Sequence, residues 1–200
     1  MSEKNFTFKT NDGLDLAARY WLPEGEPSAV VVLVHGIAEH MGRYAHLAKA
    51  FNEAGIAAAG YDHRGHGESP GDRIVVFSFD QLSADLESYV NLIEQEFPGK
   101  PVFALGHSMG TLVLGNFATS WESNVKGFLF SAAAFVISDE IPQWLIKVSE
   151  MIAVVFPKLR LITLDSAGIS HDPEVIKDYD EDPLNFRGGV PAVTGAQMIK

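Results

Sequence analysis

The stretch VFALGHSMGTLVLGNFAT, residues 102–119, decides the fold of this chain. Residues 102–105 form an apolar run that predicts a strand, and residues 111–119 have the composition of an apolar helix. Between them, Gly106-His107-Ser108-Met109-Gly110 fits G-x-S-x-G, a strained turn that lifts a serine hydroxyl above the end of a sheet. The alternative is a glycine-rich turn with an incidental serine. The flanking strand and helix favour the first interpretation, with Ser108 as a nucleophile.

Strand and helix patterns alternate on both sides of this turn. The unbroken run Ala29–Val34 is typical of a strand that is buried on both faces, as in a parallel sheet. Asp12-Gly13 is a hairpin signal between two earlier strands. Further strands are predicted at 6–8, 14–21, 56–60 and 125–130, and a helix at 43–53. The alternation predicts an α/β fold, a mostly parallel sheet with helices on both faces.

A second helix is predicted after Ser78. Ser78-Phe79-Asp80-Gln81 has the spacing of a capping box, in which the Gln81 side chain reaches back to the Ser78 backbone. The helix should end before Pro98-Gly99. Its apolar residues share one stripe, which predicts the side that faces the core: Leu82, Leu86, Tyr89, Val90, Ile93 and Phe97.

The pattern changes after Ala134, and we divide the chain into a core at 1–137 and a helical lid, or cap, at 138–200. Residues 141–156 have apolar side chains at helical spacing with only Lys147 and Glu150 charged, and no clear buried strand is expected from 159 to 200. A helix this apolar outside the sheet favours contact with substrate or with a membrane surface, although core packing is the alternative.

Composition and charge exclude several classes of function. The formal net charge of −11 argues against nucleic acid as a partner and against electrostatic capture by an anionic bilayer. The chain has no cysteine, which excludes disulfides, thiolate catalysis and cysteine-ligated metals. The N-terminal residues lack the basic segment and apolar run of a signal peptide, and no apolar run is long enough to span a membrane. These features predict a cytoplasmic protein.

The loop after the buried strand Ala29–Val34 has the position of an oxyanion-hole loop. In proteins with this serine turn, one oxyanion donor comes from that loop and the other from the residue after the serine. We therefore expect the backbone N–H groups of Ile37 and Met109 to bind the oxyanion. His35 precedes the serine in the chain, so we expect a structural role for it. The same role is expected for two histidines of the glycine-bearing loop at 61–69, His63 and His66.

Three motifs together carry a family resemblance: HGIAEHMGRY at 35–44, YDHRGHGES at 61–69 and GHSMG at 106–110. They resemble the monoacylglycerol lipase and lysophospholipase-like branch of the α/β hydrolases, of the serine aminopeptidase S33 type. Residues 164–166 and 179–184 are similar to the lid of that branch, so the likeness covers nearly the whole chain. It implies an α/β-hydrolase fold and an acyl-enzyme on Ser108, with no metal and no cofactor.

The resemblance also implies a small polar pocket for a glycerol head group, formed by Glu39, Arg43 and Tyr179. A carboxylate, a guanidinium and a phenol can all hydrogen-bond a diol, while an apolar lid holds the acyl chain. The alternatives are a surface ion pair for Glu39 and Arg43 and ordinary packing for Tyr179. One residue departs from the family pattern. The family usually continues the turn with a second glycine, and this chain has the β-branched Thr111 where helix and strand approach closely.

A serine nucleophile needs a histidine base and an orienting acid, which follow the serine in this fold. The only histidine after Ser108 is His171, inside the lid-like segment and without a strand before it. We therefore expect the base and acid, and the strands that carry them, to lie beyond Lys200. Strand 125–130 would then be an apolar sheet edge, so we expect the 200-residue chain alone to be poorly soluble and inactive.

The sequence thus predicts a serine hydrolase that cleaves carboxylic esters of monoacylglycerol-like or lysophospholipid-like substrates. A short-chain esterase or a serine aminopeptidase of the same fold is an alternative, and a non-catalytic lipid-binding protein is an alternative from another class. The expected partners are a small-molecule lipid ester and, weakly and through the lid, a membrane surface. Acyl chain length, head-group preference and oligomeric state are left open.

Overall fold

A six-stranded sheet forms the centre of the molecule. The computed structural model describes residues 2–134, 143–163 and 165–199. The strands of this sheet are β1 (Ser2–Lys9), β2 (Asp15–Leu22), β3 (Ala29–Val34), β4 (Ile56–Tyr61), β5 (Val102–His107) and β6 (Phe128–Ser131). They lie in the order β1-β2-β4-β3-β5-β6. The β1–β2 and β2–β4 pairs are antiparallel, whereas β3 pairs in parallel with β4 and β5, and β5 with β6. This confirms the predicted mostly parallel sheet.

Helices cover both faces of the sheet, because the central strand β3 is apolar on both sides. The core helices are α1 (Ala45–Glu53), α2 (Phe79–Glu96) and α3 (Met109–Ser120). Val30, Val32 and Val34 share one buried cluster with residues of α2 and α3. Val31 and Leu33 point to the other face, where α1 and the short 3-10 helix Met41–Tyr44 pack. This alternation explains why the run Ala29–Val34 has no polar position.

Two details of the predicted elements are wrong. Ser78 caps α2 by accepting a hydrogen bond from the Asp80 N–H, but Gln81 does not reach back to it. The Gln81 side chain instead donates to the carboxylate of Asp12 in the β1–β2 turn, at 3.0 Å. The strand predicted at 125–130 begins only at Phe128, because the residues before it make single backbone bonds to β5 rather than a regular ladder.

The cap residues form their own small arrangement. Its elements are α4 (Gln143–Val155), β7 (Arg160–Thr163), α5 (Pro173–Glu181), β8 (Gly189–Pro191) and α6 (Ala192–Met198). Strands β7 and β8 pair with each other in a separate two-stranded antiparallel sheet. Neither was expected from the sequence, because strands of four and three residues carry no periodic apolar pattern. The predicted core–cap boundary at 137/138, the first residues of the helix predicted at 141–156 and Leu164 lie outside the described residues.

The last helix, α6, attaches the cap to the core. Its Thr194 hydroxyl donates to the carbonyl of Ile74 at 2.8 Å and accepts from the N–H of Val76 at 2.9 Å. Ala153 of α4 and Val193 of α6 pack into one cluster with core residue Val75. These contacts join α4 and α6 to the core loop that contains Ile74, Val75 and Val76. In the described parts of the chain, no helix is long and apolar enough to cross a membrane.

Candidate active site

Ser108 lies in a sharp turn between β5 and α3. Its backbone has φ 50° and ψ −120°, in the left-handed region that non-glycine residues rarely occupy. A Cβ atom at Gly106 would lie 2.5 Å from the carbonyl oxygen of Gly110, and a Cβ at Gly110 would overlap the carbonyl oxygen of Val34. The two glycines of the motif are therefore required by the close approach of α3 to the ends of β3 and β5.

The loop after β3 runs directly beside this serine. A Cβ atom at Gly36 would lie 3.2 Å from the Cβ of Ser108. Ile37 follows in the same loop, and Met109 follows the serine at the start of α3. Within the described part of the chain, neither the Ile37 N–H nor the Met109 N–H donates to a protein acceptor. Both predicted oxyanion donors therefore keep a free N–H group, one in the loop beside the serine and one in the next residue.

Glu39 connects this loop to the neighbouring 3-10 helix. Its Oε1 accepts hydrogen bonds from the Gly36 N–H at 2.6 Å and from the Tyr44 hydroxyl at 2.7 Å. Its Oε2 accepts from Arg43 Nη1 at 2.6 Å, in an ion pair whose carboxylate is buried. Burial, reinforced by the Glu39 charge, raises the pKa of the Tyr44 phenol, so Tyr44 remains a donor. The sequence did not show that Gly36 and Tyr44 share the Glu39 carboxylate.

Tyr179 brings the cap to the same loop. The Tyr179 hydroxyl donates to the carbonyl of Ala38 at 3.1 Å, and the Phe186 N–H donates to the same oxygen at 2.9 Å. The Arg43 guanidinium lies over the Tyr179 ring, 4.8 Å from its centroid. Burial raises the pKa of the Tyr179 phenol. Glu39, Arg43 and Tyr179 therefore lie next to one another in the structure, although Tyr179 is far from the other two in the sequence.

A second link between the cap and this loop joins His40 and Asp182. The His40 Nδ1 accepts from the Gly42 N–H, so its Nε2–H donates to the Asp182 carboxylate, at 2.7 Å. Burial acts to raise the pKa of the Asp182 carboxyl, but the hydrogen bonds from His40 and from the Leu184 N–H lower it below its ordinary value. The bond connects residues 142 positions apart in the chain.

A cavity of about 430 Å³ opens at Ser108. It contains Ile37, Glu39, Arg43 and Tyr179 in its lining, so the structure brings these predicted residues together with the serine. Several other lining residues were not predicted as site residues from the sequence: His107, Ala132, Asp165, Ser166, Gly168 and Ile169. His107 lies inside the GHSMG motif, and the lid-like motif at 164–166 includes Asp165 and Ser166. No sequence signal marked Ala132, Gly168 or Ile169.

The remaining histidines divide into buried and exposed groups. His35 Nδ1–H donates to the Gly36 carbonyl at 2.7 Å, and its Nε2 accepts from the His63 N–H at 2.9 Å. Burial lowers the pKa of His35 and His63, and brings the pKa of His66 to about 3. Buried neutral imidazoles bonded to backbone fit the structural role expected of them. His171 is exposed and does not line the cavity.

Helix α4 and the residues that follow it expose several large hydrophobic side chains. These are Val148, Met151, Val154, Val155, Phe156 and Leu159. Among the described residues, no group of three or more histidine, aspartate or glutamate side chains is arranged to hold a metal ion.

Comparison with known proteins identifies the family. The sequence matches the family described as serine aminopeptidase, S33, over residues 25–200. This chain belongs to the serine aminopeptidase S33 family. The S33 assignment agrees with the α/β-hydrolase fold and with the strand–serine turn–helix at 102–120.

Several proteins similar to this S33-family chain are described as lipases. It is 33% identical to a monoacylglycerol lipase of Mycolicibacterium smegmatis, over 94% of this chain and 67% of that protein. It is also 33% identical to a monoglyceride lipase of Homo sapiens, over 94% of this chain and 62% of that protein. The chain therefore spans about two thirds of the length of these relatives.

A solved structure shows the same architecture. The monoacylglycerol lipase of Paleococcus ferrophilus, which is 28% identical, superposes with a TM-score of 0.75 over 100% of this chain and 69% of that one. The α/β-hydrolase fold predicted from the sequence is confirmed.

Proposed function

We propose that this protein is a serine hydrolase that cleaves carboxylic esters through an acyl-enzyme on Ser108. One observation carries the proposal. Ser108 occupies a strained turn at an open cavity, beside the loop that presents the unbonded N–H of Ile37 and next to the unbonded N–H of Met109. Backbone strain of this kind persists only where the surrounding structure enforces it, and it concentrates at reactive sites.

The chemistry follows from these groups. The Ser108 Oγ forms a bond to the ester carbonyl carbon, and its proton passes to a histidine base held by an acid, neither of which we assign to a residue of this chain. The resulting oxyanion accepts hydrogen bonds from the Ile37 and Met109 N–H groups. The carbon–oxygen bond to the alcohol then breaks, and the alcohol leaves with the proton. Water hydrolyses the acyl-enzyme by the same steps, releasing the acid and regenerating the serine.

The substrate that fits the cavity best has a small polyol head and an apolar tail, as in a monoacylglycerol or a lysophospholipid. Arg43 lines the cavity and uses one nitrogen for Glu39, so it has other N–H groups that can donate to a diol. Glu39 Oε2 has one donor and can accept a second from a diol. The Tyr179 hydroxyl donates to the Ala38 carbonyl, and its oxygen can still accept a hydrogen bond. The lipase names of the relatives support an ester of this class.

The decisive test is labelling of the full-length gene product with a fluorophosphonate probe. We expect the wild type to be labelled and the S108A variant not to be. Equal labelling of S108A would overturn the assignment of the nucleophile. A protein that binds long-chain monoacylglycerol but is neither labelled nor hydrolytic would be the non-catalytic alternative.

A substrate series separates the remaining enzymatic alternatives. Monoacylglycerols of increasing chain length, short-chain esters and an aminoacyl anilide are compared by kcat/KM. We expect the monoacylglycerols to be the best substrates. A higher kcat/KM for the anilide would identify an aminopeptidase, and a steady decline with chain length would identify a short-chain esterase.

We also propose that the apolar surface of α4 touches lipid surfaces. Val154 is 83% exposed and lies among other exposed apolar residues of that helix. Since the formal net charge is −11, such contact rests on apolar area rather than on charge. V154E should weaken sedimentation with phosphatidylcholine vesicles. K147Q, on the same helix, changes the net charge by the same amount and should bind as the wild type does; equal binding by V154E would contradict the proposal.

A further inference from the structure

Thr111 has a fully buried side chain close to the proposed nucleophile, Ser108. It lies in the first turn of α3, three residues after Ser108. Its hydroxyl donates to the Ser108 carbonyl at 2.6 Å, and its N–H donates to the same oxygen at 2.9 Å. The hydroxyl also accepts a hydrogen bond from the Ala134 N–H at 3.1 Å. A glycine at this position has no group that makes these side-chain bonds.

These bonds join the serine turn to the segment that follows β6. The Ser108 N–H donates to the carbonyl of Ser131 at 3.0 Å, at the start of that segment. At the other end of the segment, the Thr111 hydroxyl accepts a hydrogen bond from the Ala134 N–H. Residues 131–134 are thus attached to the turn at both ends, once by the Ser108 backbone and once by the Thr111 side chain.

The attached segment forms part of the cavity. Ala132 lines the cavity beside Ser108 and has φ 48°, in the left-handed region. Alanine rarely adopts this conformation, so contacts on either side of Ala132 must hold it. At the Ser131 end, the segment is held by the bond from the Ser108 N–H and by a bond between His107 Nδ1 and the Ser131 hydroxyl at 3.1 Å. At the Ala134 end, it is held by the bond to the Thr111 hydroxyl.

We propose that Thr111 is a positioning residue, whose hydroxyl holds residues 131–134 against the serine turn and so sets the orientation of Ser108 and the adjacent cavity wall. The inference rests on the proposed function of Ser108 as nucleophile. Thr111 touches neither substrate nor reacting atoms, and it acts through the Ser108 carbonyl and the Ala134 amide. The packing of its methyl group makes no such connection, so the hydroxyl alone should account for the effect.

The test compares T111S, which keeps the hydroxyl, with T111V and T111A, which remove it, in the full-length gene product. We expect T111V and T111A to lower the second-order rate of Ser108 labelling by fluorophosphonate about 3- to 10-fold, the loss typical of one or two buried hydrogen bonds. The labelling rate of T111S should be within about twofold of the wild-type rate, because serine keeps the hydroxyl that makes both hydrogen bonds. If T111V does not fold, the comparison of T111S with T111A tests the proposal, because neither side chain is larger than that of threonine.

Hydrogen exchange provides a readout that does not depend on activity. Exchange of the amides of residues 131–134 should be faster in T111V and T111A than in T111S and the wild type. T119V is the matched control, since Thr119 bonds the Gly115 carbonyl at 3.0 Å at the exposed far end of the same helix. It should change neither labelling nor exchange at 131–134.

The outcomes separate the two proposals. A wild type that is not labelled at Ser108 overturns the proposed function, and with it the catalytic role of Thr111. A labelled wild type with unchanged labelling in T111V and T111A overturns the inference alone. Equal losses in T111S, T111V and T111A also overturn it, because T111S keeps the hydroxyl and would then behave like the variants that lack it.

Discussion

The backbone N–H of Gly36 donates a 2.6 Å hydrogen bond to the buried carboxylate of Glu39. Gly36 directly precedes Ile37, whose N–H we propose as an oxyanion donor. The same carboxylate is held by Tyr44 and Arg43. Glu39 therefore has two connected roles: it limits where the Ile37 amide can lie, and it lines the polar end of the cavity.

Replacing Glu39 should impair turnover even for substrates that have no glycerol. We expect E39A to lower kcat about 10- to 100-fold for both a fatty acid methyl ester and the matching monoacylglycerol, since hydrogen bonds to a charged group are lost. R43A should raise KM for the monoacylglycerol more than for the methyl ester. E53A, at an exposed residue of α1, should be neutral. A loss confined to the monoacylglycerol in E39A would contradict a role in the loop.

The serine turn should not tolerate a larger residue at Gly110. A Cβ there would overlap the Val34 carbonyl and lie 2.8 Å from that of His35. We expect G110A to lower the free energy of unfolding by about 1–3 kcal/mol or more, the cost of overpacking. G195A is the control, because its Cβ meets nothing within 4 Å and it lies inside α6. G195A should stabilise by up to about 1 kcal/mol in urea unfolding. Equal stability of G110A and wild type would contradict the described contact.

Stability should fall as the pH drops from about 6.5, because burial holds the pKa of His66 at about 3 in the folded state. Between these values the unfolded chain binds a proton that the folded chain does not, so the free energy of unfolding decreases with falling pH. His35 and His63, with pKa values also lowered by burial, add to the decrease.

The H66N variant tests how much His66 alone contributes to this pH dependence of stability. Its amide can donate to the Arg64 carbonyl, as the His66 ring does at 3.1 Å. We expect the slope of unfolding free energy between pH 6 and pH 5 to become less steep by up to about 1.4 kcal/mol per pH unit. An unchanged slope in H66N would show that folded His66 takes up the proton too.

Strand β6 should make the 200-residue chain prone to self-association. It lies at the edge of the six-stranded sheet, and Leu129 in it is 46% exposed. We expect the chain produced alone to form aggregates in light scattering, and L129K to reduce them. V175K, at an exposed residue of α5, adds the same charge away from the edge and should have little effect. Equal rescue by both variants would indicate that net charge, not the edge, governs solubility.

Local patterns in the sequence were sufficient to predict the sheet and the serine turn. A strand such as Ala29–Val34 is apolar at every position because both of its faces are buried, and that pattern is visible without knowing its neighbours. Glycines at 106 and 110 are needed wherever a helix leaves a strand this closely. The fold and the strained turn at Ser108 could therefore be predicted from residues that are adjacent in the chain.

Only the tertiary structure decided which polar groups meet across the site. Gln81 bonds Asp12 rather than its own helix start, Tyr179 bonds the Ala38 carbonyl, and Thr111 receives the amide of Ala134. Each of these partners is distant in the chain, and a hydroxyl, an amide or a phenol has many possible partners of similar energy. Which partner each group takes depends on which distant segments of the backbone the fold brings next to it. The spacing of neighbouring residues in the sequence contains no information about that.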